Sequence, residues 1–215
     1  MEESDIIREL TRSAGPVRRL SRPWLRALVW IALSLPAALL VVLAMGLRPN
    51  LPQKLGDPRF LVEQAAALAT AATAAFAAFC AVIPGRRPWL LLLPLPAVAV
   101  WLGSLAEACL NAWMLDGRLT LALDWLCLPN IALVGAIPAL AMAVMIRKGA
   151  PLFPHAAVAL GGLAAAALGD FGLRLFHPVD ASLMVLVWQL GSVAILTILA
   201  SAAGPLVLRW KHRAA

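Results

Sequence analysis

The stretch "PVRRLSRPWLRALVWIALSLPAALLVVLAMGL", Pro16 to Leu47, sets four arginines and two tryptophans at the mouth of a long apolar run. From Leu25 to Leu47 that run is longer than the apolar part of a secretory signal. It also lacks a small-x-small cleavage site near its end, so it reads as an anchor that stays in the chain. A spanning helix needs ~20 apolar residues, because the hydrocarbon layer is ~30 Å thick and each residue rises ~1.5 Å.

The rest of the chain repeats the pattern. Its 215 residues are 62% hydrophobic with a mean hydropathy of +0.87, more apolar surface than one soluble core of this length can hide. Six stretches are long enough to span: 25–47, 61–83, 88–106, 126–146, 156–176 and 183–208. The separators are "RPNLPQKLGDPR", "PGRRP", a polar-aromatic segment from Glu107 to Trp125, "RKGAP" and "HPVDAS", which carry helix-ending punctuation. The expected fold is an all-α, polytopic six-transmembrane-helix bundle. Residues 1–24 form a cytoplasmic segment with a short amphipathic helix, 25–208 the membrane domain and 209–215 a basic tail.

Orientation follows from the cations. Six spans put both termini on one side, and with that side inside, thirteen of the eighteen Lys and Arg face the cytoplasm. Arg48, Lys54, Arg59, Arg118 and Arg174 are left outside. The expected place is the bacterial inner membrane with both termini cytoplasmic. The collar from Arg18 to Arg26 fixes topology and meets anionic lipid headgroups, with Trp24 and Trp30 near the interface. On a soluble protein the net charge of +7 would suggest nucleic acid; here topology accounts for it, and no direct nucleic-acid contact is expected. Small residues spaced by four, Gly161, Ala165 and Gly169 in the fifth span and Ala65, Ala69, Thr73, Ala77 and Ala81 in the second, point to these two spans as the inside of the bundle, the plain alternative being that alanine is simply common in this composition.

Enzyme motifs are missing: the sequence has no HExxH, GxSxG or Walker loop, and no enzyme activity is expected. Deep in a span stand Asp170 and Arg174, four apart on one helix face, where they can pair or Arg174 can snorkel outward. A small transporter or channel working through Asp170 is the alternative function. At the outer face, Cys109 follows the third span, Cys127 opens the fourth and His177 closes the fifth. Thiolate and imidazole suit Zn(II), Cu(I) or Cd(II), the two thiols could instead form a disulfide, and the plain alternative is ordinary packing. Cys80 is most simply a packing residue.

The head, "MEESDIIRELTRSAG", has Ser4 as a helix cap, Asp5 at the positive end and Gly15-Pro16 as a stop. Ile6, Ile7, Leu10 and Ala14 share one face. Three turns are marginal alone in water, so the helix wants a surface, either the bilayer or a protein groove. Glu2, Glu3, Asp5 and Glu9 make it acidic, which favours a basic protein partner over anionic lipid.

This order of features, with "DPRF", "DWLC" and "RKGAPLFP" in sequence and a last span carrying Trp188, resembles the six-span NrsF-like family of membrane anti-sigma factors, negative regulators of sigma F. The resemblance covers nearly the whole chain. It implies an anti-sigma factor that tethers an extracytoplasmic-function sigma factor to the inner membrane through its N-terminal segment and releases it on an envelope, metal or oxidative signal. By position it implies partner contacts at Asp5, Ile7, Leu10, Pro16, Val17 and Leu20, beside which Ile6 shares the apolar face. Of the two outer cysteines typical of the family, one matches Cys127 and the other aligns with His177. The second ligand is then His177, or Cys109 replaces it, or the signal differs. Neither the sigma factor nor the oligomeric state is legible in the sequence.

Overall fold

The computed structural model describes residues 5, 7, 8, 11, 12, 20–116, 127–149, 153–177 and 190–202, and everything below refers to these. They are helical throughout apart from short turns. In order come α1 (Pro23–Met45), the short α2 (Leu51–Leu55), α3 (Pro58–Ala81), a 3-10 turn at Pro88–Leu92, α4 (Leu95–Asp116), α5 (Cys127–Ile146), α6 (Pro154–Phe176) and α7 (Leu190–Ala202). Proline opens α1, α3 and α6, where its missing N–H costs nothing and its fixed φ suits the first turn. Gly46, at φ +84°, closes α1 in a conformation that other residues rarely adopt.

Five helical segments are long and apolar enough to cross a membrane: Pro23–Met45, Pro58–Ala81, Pro88–Glu107, Leu128–Ile146 and Pro154–Phe176. They match the first five predicted spans. Of the sixth, 13 residues are seen as α7, and 183–189 and 203–208 lie outside the described residues. One expectation fails: α4 continues to Asp116, ten residues past the predicted end, so the supposed separator begins as helix. The physical reason lies in "EACLNAWMLD", which contains no Gly or Pro and several strong helix formers before Gly117.

α3 and α6 form the centre. Two thirds of the apolar stretch of each is buried, against about a fifth for α1 and for the third span. α4 packs on α3, α7 on α6, and α1 and α5 lie against the central pair. The stripe predicted on α6 is buried at Gly161, Ala165 and Gly169. The stripe predicted on α3 is half misplaced: Ala65 and Ala69 are exposed, and the buried row runs through Ala67, Ala71, Ala74 and Ala78. With alanine at most positions from Ala65 to Ala81, four-residue spacing exists on several faces. The bulky Phe60 and the charged Glu63, both buried, select the face that turns inward.

α5 and α6 cross with their backbones close together. A Cβ on Gly169 would stand 2.5 Å from the carbonyl oxygen of Ile131, and one on Gly135 would stand 3.0 Å from that of Ala165. Lipid tails are as apolar as leucine, so helices in a bilayer gain little by hiding side chains from it and associate through close backbone packing. Replacing Gly169 by Ala therefore forces α5 and α6 apart and costs ~1–3 kcal/mol. Gly103 on α4, where a Cβ meets nothing within 4 Å, is the control. Unfolding of both variants by dodecyl sulfate titration should show the loss in Gly169→Ala alone.

Candidate functional site

At one end of the bundle the start of α1 is pinned by Arg26. Its Nη2 donates to the carbonyl oxygen of Met145 at the end of α5, and its guanidinium lies 4.5 Å from the ring centroid of Phe79 near the end of α3. Arg26 is thus buried within the bundle. So is Trp30. It is wholly buried and its indole N–H donates to the carbonyl oxygen of Pro138, 2.9 Å away, whereas Trp24 is half exposed. Pro23, Arg26 and Ala27, Trp30, Ser34, Ala38 and Val42 form one inward stripe at helical spacing, and Trp24 falls off it.

At the opposite end the "DPRF" element does four jobs in four residues. Asp57 caps α3 by accepting from the N–H of Arg59 at 3.0 Å. Pro58 opens the helix, and Arg59 reaches Glu107 of α4 at 3.2 Å in an exposed pair. Phe60 is buried, with the guanidinium of Arg174 5.6 Å from its ring centroid. One turn on, Glu63 receives Arg174 through two bonds, Nε to Oε1 at 2.6 Å and Nη2 to Oε2 at 3.0 Å. The expected partner of Arg174 was Asp170; the structure gives it Glu63 instead. A forked, charge-assisted pair across two helices with an aromatic ring beneath it is stronger than an i,i+4 contact along one helix. Arg174 is 6% exposed, so it turns inward rather than snorkelling. Asp170 is fully buried and neither of its carboxyl oxygens has a hydrogen-bond partner among the described residues.

Glu63 is the residue that sequence reasoning missed. It lies three residues inside the predicted second span, at the depth of Arg174 in the fifth and opposite in charge, and that match of depth and sign was the available signal. The same end is tied by backbone, since the N–H of Arg48 after α1 donates to the carbonyl oxygen of Leu175 at 3.1 Å. The "RKGAPLFP" element acts at the Arg26 end. A Cβ on Gly149 would meet Val82 Cβ at 2.6 Å and the Val82 carbonyl oxygen at 3.0 Å, so a glycine lets the α5–α6 turn lie on the end of α3.

The predicted sensing residues share the Arg174 end. Cys127 opens α5, and Ile131 one turn later lies against Gly169 of α6. His177 follows α6, its N–H donating to the Leu173 carbonyl at 2.8 Å. Cys109 lies in α4 just beyond Glu107, which pairs with the start of α3. The side chains of Cys109 and Cys127 are outside the described residues, as is Asp124. Among the described residues no group of three His, Cys, Asp or Glu is placed to hold a metal. Cys80 is buried and unpaired to another cysteine, as its packing role requires.

Of the head, Asp5, Ile7, Arg8, Thr11 and Arg12 are helical, and the Thr11 hydroxyl donates to the Ile7 carbonyl oxygen at 2.6 Å. All five are exposed, Ile7 at 57%, and Leu20 before α1 is 38% exposed. Ile6, Leu10, Pro16 and Val17 lie outside the described residues.

Removing one member of the buried pair leaves the other charge stranded. Glu63→Gln should cost ~3–5 kcal/mol, whereas Glu63→Leu with Arg174→Met should be near neutral. Asp170→Asn, at a carboxyl with no bond to lose, should cost less than about 1 kcal/mol. Dodecyl sulfate unfolding of the full chain checks all three, and equal losses in the single and double variants would contradict the pairing.

Compared with known proteins, the chain matches the model of the NrsF family, described as negative regulator of sigma F, over residues 10–210. No curated protein and no solved structure matches it. The matched region spans the helices from α1 to α7 and the two motifs whose packing roles are given above. The family is one of regulators rather than enzymes, and the regulated partner it names is a sigma factor. On a match of that extent, the chain belongs to the NrsF family of negative regulators of sigma F.

Proposed function

We propose that this protein is an inner-membrane anti-sigma factor that holds an extracytoplasmic-function sigma factor through its N-terminal segment, residues 4–23, with both termini in the cytoplasm. The single observation that carries the reading is the exposed Ile7 on an acidic helical turn, in a chain of the NrsF family. A large apolar side chain bared on so short a helix gains stability only when a partner covers it. Asp5 and its acidic neighbours suit a basic partner, and a sigma factor presents basic surfaces to DNA. Leu20 extends the apolar contact toward the membrane. Confinement to the bilayer surface raises the effective concentration of weak contacts spread over the head.

Release is proposed to begin at the Arg174 end, which then faces out of the cytoplasm. Cys127 and His177, with Cys109 as the substitute second thiol, bind a Zn, Cu or Cd ion or respond to oxidation. Helices ending at that face also begin or end at the Arg26 end, so a shift of one span is felt beside the head.

Two measurements test these parts separately. Full-length protein in detergent should retain the cognate sigma factor in a pull-down, and Ile7→Glu with Leu10→Glu should lower retention at least ~tenfold, as expected for losing two buried apolar anchors. Retention unchanged in that variant would refute the head as the binding segment. For sensing, Cys127→Ser should keep a sigma-dependent reporter repressed under metal challenge that induces the parent, and an unchanged induction would discard Cys127 as the receiver.

A further inference from the structure

At the Arg26 end a cavity of about 640 Å³ opens between the start of α1 and the end of α5. Its lining is divided in kind. Ser21, Arg26 and Lys148 bring a hydroxyl and two cations, and Leu25, Val29 and Met145 bring apolar surface. Leu25 and Val29 are themselves over 40% exposed, on the side of α1 that the bundle leaves to lipid.

Arg26 is 5% exposed, and its fork is only half used. Nη2 serves the Met145 carbonyl, while Nη1 is buried without a hydrogen-bond partner among the described residues. Among the described residues no carboxylate pairs with Arg26. After Glu9 the sequence contains no Asp or Glu in 10–56, 64–106 or 125–169, and the described acids Asp57, Glu63, Glu107 and Asp170 stand at the opposite end. A buried cation without a counter-ion is costly, and none of the described residues supplies one. A free anion would match the cations and the hydroxyl but would make nothing of Leu25, Val29 and Met145. An amphiphile uses both halves.

We propose that this cavity seats the headgroup of one anionic phospholipid. Its phosphate is held by Arg26 and Lys148 with the Ser21 hydroxyl as a further donor, and its acyl chain lies along Leu25 and Val29. Basic pockets between membrane helices recognise headgroups through these same contacts. The proposal rests on the spans lying in a bilayer and is independent of which protein the head binds.

The test uses the full-length protein in a neutral maltoside detergent, stripped of lipid and titrated with phosphatidylglycerol or phosphatidylcholine, with bound lipid counted by native mass spectrometry. One phosphatidylglycerol should bind roughly tenfold more tightly than phosphatidylcholine, the scale set by two basic side chains at an anionic headgroup. Arg26→Gln with Lys148→Gln should erase that preference. Arg86→Gln with Arg87→Gln, which removes as much charge from the same end, should leave it intact. Since Arg26 also anchors Met145, Lys148→Glu, which keeps that anchor, is read alongside and should erase the preference too. Equal binding of the two lipids, or equal loss in the Arg86 and Arg87 control, overturns the site. Displacement of the lipid by millimolar inorganic phosphate overturns the lipid as occupant and assigns the cavity to a free anion.

Discussion

The contact on which the bundle depends is the backbone-to-backbone approach of α5 and α6 at Gly135 and Gly169, where a single added methyl group would collide with a carbonyl oxygen. Within lipid, dispersion gained by close packing replaces the hydrophobic drive that holds soluble cores together. α6 also packs on α3 and α7, and α1 lies against α3, α5 and α6. The alanine-rich composition of α3 and α6 follows from this demand for thin helices at the centre.

Each end of the bundle is then closed by one arginine used in a different way. Arg174 meets a carboxylate on another helix and forms a neutral, bidentate pair over Phe60. Among the described residues Arg26 meets a carbonyl dipole and the face of Phe79 and no carboxylate. The difference reflects the distribution of the described acids, since beyond the head Asp57, Glu63, Glu107 and Asp170 all stand at the Arg174 end. Among the described residues, one end is therefore electrically settled by an internal pair, and the other keeps a buried cation without a carboxylate partner.

Two of the short sequence elements acquire physical meaning from this arrangement. "DPRF" caps a helix, opens it, pairs it with a neighbour and floors an ion pair. "RKGAPLFP" supplies the glycine that lets a turn touch the end of α3 and the lysine that borders the cavity at the Arg26 end. Their described residues hold the scaffold of a chain whose family is one of negative regulators of sigma F.

The apolar runs and their punctuation were legible in the sequence by themselves: the all-helical fold, five spans within a few residues of their ends, the central place of α3 and α6, and the family. Hydrocarbon thickness and the preferences of Pro and Gly act locally and so can be read locally. The partner of Arg174, the burial of Arg26 and Trp30, and the face of α3 that turns inward were decided only by tertiary structure. Each depends on which helix stands opposite at a given depth, and a one-dimensional reading favoured the intrahelical neighbour Asp170 over Glu63, 111 residues away. Long side chains at span ends can reach outward to water or inward to a partner at similar cost, and only the packed neighbours break that tie.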